Sequence, residues 1–141
     1  MQQVMDRTRR GHEEHRAGNH SEALYLMNEA LAIVERAMPE SLEVAVVLTS
    51  IARMLQESGT DRGFKQHWLA LQIRMQHQPN TAIEAESHEQ VGMILLSEHQ
   101  HTEALKHLQK ALSFHIGQNP SSIMTAIQYI HLGQARQNTG Q

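Results

Sequence analysis

The sequence predicts an all-α protein that is built from repeated helix pairs. Three prolines, Pro39, Pro79 and Pro120, follow one another at intervals of 40 and 41 residues. An Ala-Leu pair begins nine residues before each proline, at positions 30, 70 and 111. Between the prolines, apolar residues recur three and four positions apart, which is the spacing of one face of an α-helix. Self-similarity with a period of this size is typical of helical repeat arrays.

The start, spacing and end of each apolar pattern place seven antiparallel helices along the chain. They cover residues 3–16, 20–38, 41–57, 60–78, 81–98, 101–117 and 121–138. The repeat units run over about residues 1–39, 40–79 and 80–119, with a final helix at 120–138. No linker is long enough to separate domains, so we expect a single domain over residues 1–141.

The first unit begins with the most polar helix of the chain. Arg7 and Arg10 stand where later units have bulky apolar residues, which suits a helix that caps the end of an array. The second helix has Ala23, Met27 and Ala30 on one face, four and three residues apart. We expect this face to lie in the core, because small residues allow helices to pack closely.

The third and fourth helices form the second unit. Leu48 and Leu55 lie on the apolar face of the third helix, and residues 59–61, Gly-Thr-Asp, then interrupt the pattern. The apolar pattern resumes on the fourth helix at Phe64, Trp68, Leu71 and Met75. We therefore expect these large side chains to be buried.

The fifth, sixth and seventh helices repeat the arrangement. Thr81 and Glu84 form a candidate capping box at the start of the fifth helix. The sixth helix has the same alanine spacing as the second. We place Pro39, Pro79 and Pro120 at the starts of the helices that follow them, where the missing N–H of proline costs nothing.

Composition excludes several classes of function. The chain has no cysteine, so disulfides and thiolate metal sites are excluded. The net charge of -3 argues against a general nucleic-acid binder. No apolar run approaches the roughly 18 residues of a membrane-spanning helix. Because the N-terminal residues lack the apolar stretch of a signal peptide, a cytoplasmic location is the default expectation.

Histidine and glutamate are the candidate residues for chemistry, and neither forms a convincing site. His12 and His15 could share a helix face, but the sequence places no third metal ligand beside them, and we interpret them as a surface pair. Glu86 and Glu89 could act as an acid and a base, yet a solvated or ligand-facing charge pair is far commoner. We predict no catalytic residue, no metal site and no cofactor, and hence no enzyme.

Taken together, these patterns resemble tetratricopeptide repeats (TPRs). The second-helix pattern reads Ala23-x-x-x-Met27-x-x-Ala30 and Ala104-x-x-x-Leu108-x-x-Ala111, and small residues recur on the first helices at Gly11, Ala52, Gly92 and Gly133. The period exceeds the usual 34 or so residues and is similar to that of the longer repeats in kinesin light chains. The resemblance implies a right-handed α–α superhelix in which small residues let paired helices approach closely.

The resemblance also implies that the first helix of each pair lines a concave groove. Each first helix has one face that contains none of the residues predicted for the core. The residues of this face are three and four positions apart. Stacking would align these faces into one continuous surface. The groove residues that we predict to bind a partner are Thr49, Arg53, Gln56, Glu86, Glu89, Gln90, Met93, Ile127, Ile130 and Gln134.

The function that these observations favour is a non-catalytic interaction module. It would bind a peptide or a helical segment of a partner protein in the concave groove, without nucleic-acid binding or membrane insertion. The alternative is a self-association module, a homodimer that forms through exposed apolar residues at one end of the array. A regulatory or sensor fragment of a larger protein is the other alternative.

Overall fold

The computed structural model describes the backbone of residues 1–118 and 123–139 and the side chains of residues 1–118 and 128–139. All regular secondary structure in these ranges is helical, so the all-α prediction is confirmed. Seven helices lie within them: α1 (Gln2–Arg16), α2 (His20–Ala37), α3 (Leu42–Glu57), α4 (Phe64–His77), α5 (Ala82–Ser97), α6 (His101–Gln118) and α7 (Ile123–Thr139).

The predicted helix boundaries agree with the structure to within one residue, except at the start of α4. This helix begins at Phe64 and not at residue 60. Gly63 has a left-handed backbone with φ of 71°, and its N–H donates to the Asp61 carboxylate. The chain therefore makes a further turn before it becomes helical. The predicted start of the seventh helix, at residue 121, lies outside the described residues.

Pro39 and Pro79 lie in turns after helices and not at helix starts, so that part of the sequence interpretation was wrong. Each proline comes two residues after the end of α2 or α4. The next residue has a positive φ, 54° at Glu40 and 59° at Asn80. Proline is common just beyond a helix C-terminus because it cannot continue the helix. Pro120 lies outside the described residues.

Side-chain caps begin the two helices that follow these turns. The Ser41 Oγ accepts a hydrogen bond from the Val44 N–H, and the Thr81 Oγ1 accepts one from the Glu84 N–H, both at 3.3 Å. The Glu84 carboxylate accepts from the Asn80 N–H at 3.1 Å. The predicted capping box is therefore present, with its carboxylate bound one residue before the cap.

Residue contacts divide the chain into two compact units, Met1–Ile73 and Arg74–Gln141. In the first unit, α1, α2 and α3 surround a core to which α4 adds Ala70 and Ile73. Met27 is fully buried and packs against Gly11, where a Cβ atom would lie only 2.8 Å from its sulfur. Glycine thus allows α1 and α2 to approach closely.

The buried face of α4 agrees only in part with the one that the sequence predicted. His67, Ala70 and Leu71 are buried, whereas Trp68 and Met75 are each 37% exposed. The helix is rotated so that polar side chains occupy inner positions, and the large apolar residues one position further along turn outward. The prediction that Trp68 and Met75 are buried is therefore wrong.

In the second unit, α6 packs between α5 and α7. Leu108 lies against Gly92, where a Cβ atom would be 2.8 Å from the leucine Cγ. Leu108 also joins a cluster with Leu132 of α7. The end of α4 contributes the buried Arg74, whose Nη1 donates to the Ser87 Oγ of α5 at 2.7 Å.

Substitution of Ala111 should reveal how closely the second helices are packed. Ala111 is fully buried, as are Ala30 and Ala70. Ala111→Leu should lower the free energy of unfolding by about 1–3 kcal/mol, because a well-packed site has no room for a larger side chain. Ala32→Leu, at an exposed position of α2, is the control and should change it by no more than about 0.5 kcal/mol. Equal urea midpoints for the two variants would contradict this packing.

Candidate partner-binding surface

The predicted groove residues of the first unit lie on one face of α3. Arg53 and Gln56 are exposed, and Thr49 is half-buried. The Thr49 Oγ1 donates to the Ala45 carbonyl at 2.9 Å, so its hydroxyl can only accept a hydrogen bond from a ligand. Val46 extends this face by one turn and is largely exposed. The face combines one guanidinium group with small apolar areas.

A histidine joins α1 to α3 within the same unit. The His15 Nε2 lies 2.6 Å from the Glu57 Oε2, and the His15 Nδ1 lies 3.2 Å from the Nδ1 of His20. The sequence analysis interpreted His15 only as half of a surface pair and did not single out Glu57. The two residues are 42 positions apart, close to one repeat period, and that spacing was the available signal for neighbouring first helices.

The predicted groove residues of the second unit are divided between α5 and α7. Glu86, Ile130 and Gln134 are exposed, whereas Glu89, Gln90 and Met93 are half-buried. The side chain of Ile127 lies outside the described residues. These positions provide a carboxylate on α5 and an exposed apolar residue on α7.

Glu89 has a structural partner that the sequence analysis missed. Its carboxylate accepts a hydrogen bond from the Nε2 of Gln128, a fully buried side chain of α7. This bond links two first helices, since α5 and α7 occupy equivalent places in successive repeats. Glu86 is the more exposed of the two carboxylates on α5.

A second polar cluster lies between α5 and α6. His88 is only 1% exposed, and its Nδ1 lies 3.0 Å from the Nδ1 of His107. Its Nε2 lies 3.4 Å from the Glu84 Oε1. Burial, followed by the charges of His107 and Lys110, lowers the pKa of His88 to about 4. Burial and Lys110 also lower the pKa of His107, so at neutral pH one uncharged ring donates to the other.

Beside this cluster is an open cleft of about 820 Å³. It is lined by the start of α5 and one face of α6: Asn80, Thr81, Glu84, Ala85, Glu103, Lys106, His107, Gln109, Lys110, Ser113 and Phe114. Glu103 and Lys106 form an ion pair at 2.9 Å, and charges of both signs line the wall. None of the described groove residues is part of this lining, so the cleft and the predicted groove are different surfaces.

Two general features bear on the classes of function. Among the side chains that the structure describes, no three His, Asp or Glu residues converge so as to hold a metal ion. In the described part of the chain, no helix has the length and apolar character needed to cross a membrane.

Comparison with known proteins identifies the fold. No protein-family model matches this sequence, and no curated protein sequence matches it. BtubC (BKLC) from P. vanneervenii, in contrast, superposes on 97% of the chain with a TM-score of 0.81 at 18% identity. The chain has a TPR-like repeat fold. The prediction made from the period and from the alanine positions is confirmed.

Two further structures agree with this assignment. A kinesin-light-chain candidate from Podosopora anserina, with nearly identical TPR-like repeats, matches 98% of the chain with a TM-score of 0.78 at 15% identity. A point variant of that protein matches the same share with a TM-score of 0.79 at 14% identity. The chain spans 56% of the length of BtubC and 67% of the two other structures. At these identities, the likeness concerns the fold.

The buried histidine pair should make the stability of the protein sensitive to acid. In the unfolded chain His88 titrates near 6.5, and in the folded protein near 4. The unfolded state therefore binds the proton at a higher pH than the folded state does. The contribution of His88 to the free energy of unfolding has its full value above pH 6.5 and is lost as the pH falls toward 4. For a shift of this size, the loss is on the order of 2–3 kcal/mol.

Urea unfolding at several pH values between 7.5 and 4.5 would measure this effect. His88→Gln should show a smaller loss of stability across that range than the wild-type protein. His99→Gln, which removes an exposed imidazole, is the matched control and should follow the wild-type curve. A His88→Gln variant with the wild-type pH dependence would show that His88 is not the group responsible.

Proposed function

We propose that this chain is a non-catalytic interaction module that binds a peptide or a helical segment of a partner protein on the outward faces of its first helices. One observation carries the proposal. On α3, residues 47, 48, 51, 52, 54 and 55 are buried, whereas Arg53 and Gln56 are exposed. The exposed face is therefore not needed for the core and is available for binding.

The exposed side chains on α3, and those on α5 and α7, indicate what kind of segment would bind. Arg53 offers a planar guanidinium group, which suits a carboxylate or a backbone carbonyl. Glu86 offers a carboxylate for a basic side chain, and the exposed Ile130 offers apolar area. We expect the ligand to carry charges of both signs and at least one apolar residue.

The non-catalytic part of the proposal rests on the arrangement of the polar side chains. Among the described residues, two clusters bring histidine and glutamate together: His15 with Glu57 and His20, and the His88–His107 pair with Glu84. His88 of the second cluster is only 1% exposed and is approached by His107 and Glu84, so its ring is not accessible to a substrate. The pair is better explained as a contact between helices.

Charge reversal would test the binding face. Peptides selected from a random library for binding to the wild-type protein should bind Arg53→Glu and Glu86→Lys at least about tenfold more weakly, a loss of about 1.4 kcal/mol. If the contact is buried, the loss should reach about 2–5 kcal/mol. Calorimetric titration of each variant would measure it.

The matched controls are Arg36→Glu and Glu35→Lys, which make the same charge changes at exposed positions of α2. They should bind the selected peptides as the wild-type protein does. If the selected peptides instead bind Arg53→Glu and Glu86→Lys with wild-type affinity, the first-helix faces are excluded as the binding site.

Self-association is the second candidate function, and the exposure of α7 favours it. Tyr129 is 55% exposed and Ile130 is 59% exposed, so two neighbouring large residues of α7 are open to contact. Light scattering over a hundredfold range of concentration would decide. A mass of one chain throughout would rule this candidate out.

A further inference from the structure

The cleft in the second unit has walls that a buried histidine holds together. Glu84, at the start of α5, and His107, on α6, both line the cleft. Behind them, the Nδ1 of His88 lies 3.0 Å from the His107 Nδ1, and its Nε2 lies 3.4 Å from the Glu84 Oε1. His88 is only 1% exposed, so water does not compete for these contacts. The two walls are therefore fixed relative to each other before any ligand binds.

Both carboxylates of the cleft already have partners. The Glu84 Oε2 accepts a hydrogen bond from the Asn80 N–H at 3.1 Å, and the dipole of α5 stabilises its charge, because Glu84 lies in the first turn of that helix. Glu103 accepts a hydrogen bond from the Lys106 ammonium group at 2.9 Å, and this bond lowers the pKa of the Glu103 carboxyl. Neither carboxylate is therefore well placed to attract a cation.

Lys110 brings a positive charge into the cleft that has no such partner. Among the described side chains, no carboxylate forms an ion pair or a hydrogen bond with its ammonium group. Burial is the main reason why the pKa values of His88 and His107 are low, and the charge of Lys110 lowers both further. These two rings are uncharged at neutral pH. The charge in the described lining that remains to be matched is therefore that of Lys110.

We infer that this cleft binds a small organic anion. The carboxylate or phosphate group of the ligand lies against the Lys110 ammonium group and accepts a charge-assisted hydrogen bond from it. Gln109 and Ser113, which are exposed and line the same cleft, donate hydrogen bonds to the other oxygens of that group. The half-buried ring of Phe114 packs against the apolar or aromatic part of the ligand.

The size of the cleft supports a small molecule as its occupant. Its volume of about 820 Å³ lies within the range of small-molecule sites, roughly 300–1,000 Å³. Lys110 and Phe114 are four residues apart on α6, which is a rise of about 6 Å, so a single aromatic acid can contact both. None of the described groove residues lines the cleft. This inference is therefore independent of the proposed peptide binding.

A charged and an uncharged probe of the same shape would test this inference. Benzoate and phenyl phosphate should bind the wild-type protein in NMR titrations at millimolar concentration, and the amide signals of Ser113 and Phe114 should shift. Benzamide should bind at least about tenfold more weakly than benzoate, because it lacks the charge that strengthens a hydrogen bond to Lys110. Tighter binding of phenyl phosphate would assign the ligand to organic phosphates, and tighter binding of benzoate to carboxylic acids.

Substitution of Lys110 would show whether its charge is responsible. Lys110→Gln should bind benzoate at least about tenfold more weakly than the wild-type protein. Lys65→Gln is the matched control, because it makes the same change at an exposed position of α4 that does not line the cleft. It should bind benzoate as the wild-type protein does, and so should Arg53→Glu. Thermal unfolding would confirm that the variants are folded.

Four results would overturn the inference. One is that neither benzoate nor phenyl phosphate binds the wild-type protein, and another is that benzoate and benzamide bind equally well. The third is that Lys110→Gln and Lys65→Gln bind benzoate equally well. The fourth is a shift of the amide signals of Arg53 and Gln56 instead of those in the cleft, which would assign the anion to the proposed peptide-binding face.

Discussion

In the α1–α2 and α5–α6 pairs, the contact between a large apolar side chain and a glycine determines how closely the two helices pack. Met27 on Gly11 and Leu108 on Gly92 replace two layers of side chains with one. The backbones come close, and fully buried alanines lie beside these contacts at positions 23, 30, 104 and 111. This arrangement explains how a chain with only 4% aromatic residues forms a buried core. It also fixes which face of each first helix is covered, and so which face is left exposed.

The repeat period predicted the helices well because every unit places the same residue types at the same positions. The period also places His67 in line with the buried Met27 and Leu108. The apolar pattern within α4 failed, because Arg74 is buried and Trp68 is partly exposed. A hydrophobic pattern assumes that apolar residues face the core. Arg74 faces inward instead, because Ser87 accepts its hydrogen bond and lowers the cost of its burial. That partner lies on the next helix, so the local pattern of α4 contains no sign of it.

The candidate binding face could be predicted from the sequence only in part, because the pattern of one helix does not show its partners on another. Helical spacing along α3 is enough to separate Arg53 and Gln56 from the core. The bonds from Glu89 to Gln128 and from His15 to Glu57 join helices that are about one period apart in the sequence. To predict these bonds, one must know how both helices are rotated about their axes. The pattern of a single helix does not contain that information. The exposed side chains are therefore easier to predict than those that link one first helix to the next.

The turns at Pro39 and Pro79 make the length of the array adjustable in principle. Both consist of a proline, one residue with a positive φ and a Ser or Thr that caps the next helix. Deletion of residues 40–79 would join Pro39 to Asn80 and Thr81, which restores a joint of the same kind. Duplication of that segment would do the same. Genetic recombination between repeats could thus add or remove a whole helix pair and leave the local chemistry of every joint intact.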